Sequence, residues 1–268
     1  MTPAEIMRLK ELLPTSLGSE EIREQIATDI LQRSIFSARM ESAHYLKRLR
    51  EICTRLVTGE ISNAQARAEL LSLLEQMGHS PLDDGGIMNP ASIRRLNLIL
   101  DTQRQMATSV AKISEQTEAT LAVWPAWELI RLGSRRVPRE DWPERWNAAG
   151  ESVGWEGALD RTLGISGPRF IALKTSPIWA ALGQGVGGYT DAIGNPYPPF
   201  AYGSGMDWDQ VEREECISLG LIAPDAPVSE QPALAGASLA PTGKDIEEAA
   251  MRYGFTDIGD GLGLEGLE

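Results

Sequence analysis

The stretch that decides the fold runs from Gly187 to Met206 and reads GGYTDAIGNPYPPFAYGSGM. It holds three prolines, five glycines, three tyrosines and a phenylalanine, and it contains no Lys, Arg or Glu. Each proline removes a backbone donor and is excluded from the interior of a helix, and the residue before a proline is pushed toward extended geometry. Long loops in compact domains are usually functional or disordered, and aromatic content argues against disorder. The stretch therefore predicts an ordered loop that specifies a shape.

The residues around this loop resemble a known protein family. The run from Ala172 to Ile222 contains the loop and is similar to the C-terminal part of the phage head morphogenesis family, the Mu F-like minor head proteins. Two upstream blocks, Arg94–Gln116 and Trp124–Gly150, resemble the helix ahead of the family's core and the block that follows that helix. Together these blocks cover roughly half of the chain, and the PYPPF-x₃-SGM run is the most specific of them.

The resemblance implies a structural minor head protein of a tailed bacteriophage or prophage, and not an enzyme. Such a protein associates with the portal or other head proteins and acts in head morphogenesis or DNA delivery. The implied location is the virion, in the head or neck, after assembly in the cytoplasm of the host bacterium. Self-association in a ring is left open. The alternatives are a portal-plugging neck or adaptor protein and a toxin-type enzyme built on the same core.

The chain departs from the family in its histidines and cysteines. Many members carry a His within a charged strand and a Cys-x-Cys near the end of the core. Here the histidines are His44 and His79, both upstream of that region, and the cysteines are Cys53 and Cys216. No metal site or disulfide is therefore carried over from the family, and the two thiols are expected to be reduced and buried.

The aromatic and proline residues of the loop either bind a partner or shape the loop itself. The candidates are Tyr189, Pro196, Tyr197, Pro198, Pro199, Phe200, Tyr202, Met206 and Trp208. Tyr197, Phe200 and Tyr202 are expected to pack against a Trp-rich core, and a partner-contact hot spot is the alternative. No catalytic, cofactor-binding or metal-binding residue is predicted, and no cofactor.

Several other patterns favour structure over chemistry. The acidic run Asp207–Glu215 offers oxygens of the kind that Ca²⁺ and Mg²⁺ prefer, but acids at a helix N-terminus explain it more simply. Gly183–Gly188 matches GxGxxG, yet it follows an expected helix, whereas a dinucleotide site follows a strand. Leu163–Gly167 contains GxSG without the full nucleophile elbow, and no histidine follows His79. His44 and His79 are both expected to be structural.

Bulk composition restricts the classes of partner. The chain has 268 residues, a net charge of −13 and a pI of about 4.7, which argues against binding to duplex DNA because such binders need Lys and Arg to replace counterions. No stretch of about 18 apolar residues is present, so no membrane association is expected. Met1–Glu11 carries charges and no apolar region, so no secretory signal is expected.

Aromatic residues divide the chain into unlike parts. Only Phe36 and Tyr45 precede residue 121, and the other fourteen aromatic residues, including all seven Trp, follow it. We predict an α+β fold with a helical N-terminal region of long helices at 1–121, a small mixed, loop-rich aromatic core at 122–222, and a linker with a flexible acidic tail at 223–268. The Trp side chains are expected to form the core, and a carbohydrate- or peptide-binding platform is the alternative. The set comprises Trp124, Trp127, Trp142, Trp146 and Trp155.

Local signals place the helices of the N-terminal half. Thr2–Glu5 combines a capping Thr, Pro at the first helical position and Glu at the third. Glu20–Thr58 has near-helical apolar spacing without a breaker, which predicts one helix of roughly 60 Å with a kink or an exposed arm. Ser62 begins a third helix, and Asn89–Pro90 begins a fourth that ends near Leu121.

Shorter elements are predicted in the C-terminal half. Trp124–Leu132 is a strand or a short helix, Trp142 starts a helix, Phe170–Leu173 is a strand, Pro177–Leu182 is a helical turn or two, and Asp207 or Asp209 begins a helix that Gly220 stops. Beyond these elements, Ala223–Gly243 is rich in Pro, Ala, Ser and Gly and predicts a linker. Lys244–Tyr253 is a candidate short helix, and the acidic, Gly-rich end Phe255–Glu268 follows.

Overall fold

The computed structural model describes residues 1–26, 28–81, 86–132, 139–155, 169–227, 255–257 and 262–264. Its elements are α1 (Pro3–Leu9), β1 (Glu11–Leu12), α2 (Ser19–Gln25), α3 (Thr28–Arg33), β2 (Ser34–Ile35), α4 (Ala43–Val57), α5 (Asn63–Gln76), a 3₁₀ turn (Gly86–Met88), α6 (Ile93–Ser114), α7 (Glu118–Val123), β3 (Ala126–Arg131), α8 (Trp142–Ser152), β4 (Ile171–Leu173), α9 (Ile178–Gly183), β5 (Met206–Val211), α10 (Arg213–Ser218), β6 (Phe255–Asp257) and β7 (Leu262–Leu264). The fold class is α+β, as predicted.

These elements belong to two compact units. Unit 1 comprises Met1–Ala111 together with β6 and β7, and unit 2 begins at Lys112 and contains β3, β4, β5 and the last four helices. The division falls inside α6, whereas the sequence suggested a boundary at Leu121.

Unit 1 is mainly helical, and its caps follow the sequence signals. Thr2 forms a capping box with Glu5 at the start of α1, and Ser62 forms one with Gln65 at the start of α5. The stripe that α4 buries repeats at helical spacing, which places one face of the helix in the core. Its members are Tyr45, Leu46, Leu49, Ile52, Cys53 and Leu56.

The single long helix predicted for Glu20–Thr58 is wrong, because the chain breaks it into α2, α3, β2 and α4. Ile26 leaves the helix in an extended conformation and packs with Ile30 in a core cluster around Leu13. Ile35 pairs in parallel with Leu12. Isoleucine is β-branched and favours helices only weakly, so packing and strand pairing outweigh the apolar spacing that suggested a helix.

The fourth helix is also shorter than predicted. Asn89 forms a local turn, with its Oδ1 accepting from the backbone N of Ala91 at 2.9 Å, and the Ser92 hydroxyl accepts from the N of Arg95 at 3.2 Å as α6 begins. The helix ends at Ser114, and Thr117 caps the separate helix α7.

Unit 2 is built on a three-stranded antiparallel sheet in the order β4-β3-β5. The strand alternative for Trp124–Leu132 and the strand at Phe170–Leu173 are correct, and they appear as β3 and β4. The register pairs Trp127 with Ala172 in β4 and with Gln210 in β5. The helices predicted at Trp142 and at Pro177–Leu182 appear as α8 and α9.

The helix predicted to start at Asp207 or Asp209 is wrong, because Met206–Val211 is strand β5. Helix α10 begins only at Arg213 and ends before Gly220, which has a φ of +64°. Asp207 and Asp209 were interpreted as acidic residues at the start of a helix. The alternation of Met206 and Trp208 with the two aspartates has period 2, which is the strand pattern.

The predicted tail lies mostly outside the described residues. The linker is described only to residue 227, and the candidate helix at Lys244–Tyr253 lies outside the described residues, as does the GxSG run. Within the acidic end, β6 and β7 form an antiparallel pair, with Phe255 opposite Leu264, so this part of the tail contains strands where a flexible segment was predicted.

Candidate functional site

The proline-rich stretch folds as a closed loop whose two ends are held side by side. The backbone N of Ile193 donates to the carbonyl of Phe200 at 2.9 Å, and the N of Tyr202 donates to the carbonyl of Asp191 at 3.0 Å. An isolated antiparallel bridge joins Ala192 and Ala201 between these two bonds. We call Asp191–Tyr202 the proline loop.

Helix α9 supports the proline loop from one side through its last residue, Gly183. The carbonyl of Gly183 accepts from the N of Gly194 at 2.8 Å. A Cβ at Gly183 would lie 1.7 Å from the carbonyl oxygen of Asn195, so only glycine fits this close approach of two backbones. The first glycine of the GxGxxG match is therefore used for packing, and the run follows a helix, as the sequence indicated.

The tip of the proline loop has an unusual backbone that the surrounding structure holds. The Pro198–Pro199 peptide is cis, and Phe200 has a φ of +55°. The Ser204 hydroxyl donates to the carbonyl of Pro199 and accepts from the backbone N of Met206 at 3.2 Å. Ser204 thereby connects the loop to the first residue of β5.

Aromatic rings fill the space between the proline loop, the sheet and helices α8 and α9. Trp127 of β3 stacks on Trp208 of β5 with ring centroids 5.0 Å apart. Trp208 also meets Trp179 edge-on at 5.5 Å and Phe200 at 5.8 Å, and Trp179 lies 5.3 Å from Trp146. This aromatic cluster is a core, because each of the five rings named here is at most 3 % exposed.

The structure separates the candidate residues by burial. Tyr197 and Phe200 are fully buried, as expected, whereas Tyr202 is only partly buried. The buried members of the candidate set are Tyr197, Pro198, Pro199, Phe200, Met206 and Trp208, and the partly exposed members are Tyr189, Pro196 and Tyr202. The buried residues shape the fold, so their side chains are not offered to a partner in this conformation.

Two arginines that sequence reasoning missed clamp the ends of the proline loop. Arg139 makes an ion pair with Asp191 and donates to the carbonyl of Tyr202 at 2.7 Å, so it spans the neck of the loop. Arg145 of α8 pairs with the same Asp191 at 2.9 Å and with Asp141 at 2.8 Å. No local sequence motif predicts this arrangement, because Asp191 lies far along the chain from both arginines.

The Arg145 guanidinium is also held between two rings. It lies 4.1 Å from the ring centroid of Tyr189 and 5.1 Å from that of Trp142, at cation–π distance. Partial burial alone would raise the pKa of Asp191, but the hydrogen bond from Arg145 and the charges of Arg139 and Arg145 outweigh it and lower that pKa. The clamp therefore keeps Asp191 ionised.

A buried lysine lies on the other side of the aromatic cluster. Lys174 is 2 % exposed, and its Nζ donates to the Oε1 atoms of Gln116 at 2.7 Å and Gln210 at 3.1 Å. The same Nζ lies 4.0 Å from the centroid of Trp127. Burial lowers the pKa of Lys174 to about 8. Its donors are met by two amide oxygens and a ring face, which is a structural arrangement.

The acidic run does not form a metal site within the described residues, where no group of three or more His, Cys, Asp and Glu side chains is arranged to hold an ion. Asp207 instead pairs with Lys112 at 2.9 Å, and Glu215 pairs with Arg169, which also pairs with Glu128.

The two thiols are free and buried, in agreement with the sequence interpretation. Cys53 lies in α4 of unit 1 and Cys216 in α10 of unit 2. Burial raises the pKa of Cys53 to about 12 and that of Cys216 to about 11. Both are therefore protonated and unreactive at neutral pH.

A shallow groove of about 520 Å³ runs beside β3 in unit 2 and is lined in part by Arg131, Arg139, Trp142 and Arg169. Arg139 and Arg169 are already paired with carboxylates, and Arg131 donates to the carbonyl of Arg139.

Within the described ranges, no helix is both long and apolar enough to span a bilayer. Comparison of the chain with protein-family models, with curated proteins and with solved structures gives no match.

Proposed function

We propose that this chain is a non-enzymatic minor head protein of a tailed bacteriophage or prophage, and that it associates with the portal or another head protein during head morphogenesis or DNA delivery. The proposal begins from the resemblance of Ala172–Ile222 to the Mu F-like proteins. The observation that carries it is the position of the most specific run, PYPPF-x₃-SGM, at the centre of unit 2.

The residues of this run depend on one another in space. Phe200 with its positive φ packs against Trp179 and Trp208, and Ser204 binds the carbonyl of Pro199 and the N of Met206. The resemblance therefore concerns residues that specify a fold, and this supports placing unit 2 with the family's core.

The chemistry of the described residues supports a structural role over an enzymatic one. The two buried lysines, Lys10 and Lys174, each donate to a glutamine Oε1, at 2.8 and 2.7 Å. The two thiols are buried with raised pKa values. These two lysines and two thiols are thus enclosed, whereas a catalytic nucleophile needs access and a neighbouring base.

The charge of the chain supports a protein partner. A net charge of −13 disfavours a duplex-DNA surface. A head protein can lie near packaged DNA without gripping it, so the charge is compatible with a place at the portal.

The proposal is tested by particle composition. We expect quantitative mass spectrometry of purified proheads and virions to detect this polypeptide at low copy relative to the major shell protein. Deletion of its gene is expected to reduce filled heads, and wild-type protein supplied from a plasmid is expected to restore them. Absence from both kinds of particle, with normal assembly in the deletion strain, would overturn the proposal.

A matched pair of variants tests whether unit 2 carries the association. Gly183→Ala places a Cβ 1.7 Å from a backbone oxygen, whereas nothing lies within 4 Å of a Cβ at Gly188. We expect the Gly188→Ala protein to enter particles and the Gly183→Ala protein to be excluded. The assembly stage at which the protein enters particles separates a minor head protein from a portal-plugging neck protein. A neck protein would be found in filled heads but not in proheads.

A further inference from the structure

The groove beside β3 lies where the sheet of unit 2 narrows from three strands to two. β3 pairs with β5 over all six of its residues, but with β4 over only its first three. One further bond extends the contact on the β4 side, from the N of Leu129 to the carbonyl of Phe170 at 2.8 Å. The end of β3 therefore has no described strand beside it on that side. We call the adjoining space of about 520 Å³ the β3 groove.

The register shows which backbone groups of β3 face this open side. The N of Lys174 donates to the carbonyl of Pro125 at 2.9 Å, and the N of Leu129 donates toward β4 in the same way. Hydrogen-bonded and non-hydrogen-bonded positions alternate along an antiparallel pair, so the odd-numbered residues of β3 bond toward β4. Arg131 is the next odd-numbered residue, and its N–H and C=O point to the side that β4 leaves uncovered. Such edge groups can accept an extended peptide as an added strand.

Two side-chain donors that line the β3 groove have no hydrogen-bond partner within the part of the chain that the structure describes. They are Arg131 Nη1 and Trp142 Nε1. Trp142 is 3 % exposed, and an unmade hydrogen bond is costly for a buried donor. Buried polar groups nearly always have partners, so two unmet donors on one groove indicate a ligand that supplies acceptors.

The charges of the lining indicate that the ligand is an anion. Arg139 and Arg169 each pair with a carboxylate, whereas Arg131 donates to the carbonyl of Arg139 and pairs with no described carboxylate. The lining also contains two glutamates, of which Glu128 is held by Arg169 and Glu140 is exposed. Of the three arginines described in the groove, Arg131 is thus the one whose charge is left for an incoming carboxylate.

We propose that the β3 groove binds an extended segment of a partner protein that places an acidic residue opposite Arg131. The backbone of the segment pairs with the N–H and C=O of Arg131 and continues the line of β4. Residues directly opposite each other in an antiparallel pair carry their side chains on the same face, so the acidic side chain meets the Arg131 guanidinium. A second acceptor of the segment takes the Trp142 indole N–H. Both unmet donor atoms are covered in the unbound chain, so these two side chains reorient on binding.

The rest of the lining suits a peptide better than a small anion. Leu129, Ile130, Pro143 and Phe170 add apolar surface beside the charged group, and a mostly apolar cleft of this volume with a few placed polar groups is typical of binding sites. A free anion would use the charge of Arg131 and leave both the strand edge and this surface unused. The inference does not depend on the proposed function.

The test follows peptide binding to the full-length, ¹⁵N-labelled protein by nuclear magnetic resonance. The first probe is the blocked peptide acetyl-Thr-Val-Glu-Val-Thr-amide, whose residues apart from Glu favour strands. The second probe has Gln in place of Glu. We expect the Glu peptide to cause saturable shifts of the Arg131 backbone amide and the Trp142 indole N–H, and the Gln peptide to bind at least tenfold more weakly.

A matched pair of variants tests the charge. Arg131→Gln keeps side-chain donors and removes the charge, so we expect it to bind the Glu peptide at least tenfold more weakly than wild type. Arg104→Gln removes the same charge from an exposed side chain in unit 1, and it is expected to bind as wild type does. Circular dichroism establishes that each variant is folded.

If Arg131→Gln does not fold, Trp142→Phe carries the test, because it keeps an aromatic ring and removes the unmet N–H. We expect it to bind the Glu peptide at least threefold more weakly than wild type, and the loss of its indole signal also assigns that resonance. Unchanged affinity of the Glu peptide for a folded Arg131→Gln or Trp142→Phe protein would overturn the proposal.

Three results with the wild-type protein would also overturn it. The first is the absence of saturable shifts at Arg131 and Trp142 at millimolar Glu peptide. The second is equal affinity for the Glu and Gln peptides, because the charge of Arg131 would then not be read. The third is inorganic phosphate that shifts the same two resonances with the affinity of the Glu peptide, because the groove would then attract anions without recognising a peptide.

Discussion

Phe200 combines two properties that make its substitutions informative. It has no exposed surface, and its φ is +55°. Replacement by Ala removes the ring and keeps a Cβ in the left-handed region, whereas replacement by Gly removes the ring and also relieves the backbone. We therefore expect Phe200→Gly to be more stable than Phe200→Ala, which reverses the usual order of these residues.

The magnitudes follow from burial and backbone geometry. Truncation of a buried Phe to Ala costs about 3–5 kcal/mol. The left-handed conformation costs a residue with a Cβ about 1–2 kcal/mol, and the greater freedom of Gly in the unfolded chain offsets about 0.4–1 kcal/mol of this gain. Phe200→Gly should therefore be more stable than Phe200→Ala by roughly 0.5–1 kcal/mol.

Urea unfolding followed by Trp fluorescence measures this difference within the full chain. All seven Trp residues lie between Trp124 and Trp208, so the signal reports unit 2. Tyr197 is the matched control, because it is equally buried and is not among the residues with positive φ. At Tyr197 the Ala variant should be the more stable by about 0.4–1 kcal/mol.

Two results would refute this account. If Phe200→Ala were as stable as Phe200→Gly or more so, the left-handed backbone at Phe200 would not be a feature of the folded protein. If both variants unfolded within about 1 kcal/mol of wild type, the proline loop would be a passive surface loop and not part of the core.

Three further predictions concern unit 2. Gly183→Ala should destabilise the unit by about 3 kcal/mol or more through overpacking against Asn195. Gly188→Ala has open space around its Cβ but a φ of +92°, and it should cost about 1 kcal/mol. The midpoints of urea unfolding compare the stabilities of the two variants. The pKa of Asp191 is lowered in the folded state. Its ionised carboxylate therefore contributes fully to the free energy of unfolding above the unfolded pKa of about 3.9, and this contribution is lost as pH falls through the lower folded pKa. The stability of Asp191→Asn, measured as pH is lowered, should not show this loss. Lys174 has a folded pKa of about 8 and an unfolded pKa of about 10.4, so the unfolded state binds more protons between these values and stability rises with pH across that window. The free energy of unfolding of Lys174→Met should not show this rise at alkaline pH. If wild type and Lys174→Met had the same dependence of stability on pH, the burial of Lys174 would be contradicted.

Features that depend on neighbours along the chain could be predicted from the sequence. The capping boxes at Thr2 and Ser62 involve residues only three positions apart. The ordered, aromatic proline loop follows from what proline and glycine permit, and the α+β class follows from the uneven distribution of aromatic residues. The assignment to a phage head family rests on resemblance and stays a proposal.

Features that depend on distant partners could not be predicted in this way. Apolar spacing suggested one helix through Ile26 and Ile35, but Ile35 pairs with Leu12 and the helix is broken. Acids at Asp207 and Asp209 suggested a helix start, but pairing with β3 makes them part of a strand.

The candidate site shows the same division. Its aromatic members were visible in the sequence, but Arg139 and Arg145 were not, because their shared partner Asp191 is 52 residues from Arg139 along the chain. The sequence by itself determined where Thr2 and Ser62 cap helices and where proline and glycine turn the chain, since those preferences act over a few bonds. Only the tertiary structure decided which strands pair, which rings are enclosed and which charges meet, because burial and electrostatic pairing depend on distance in space.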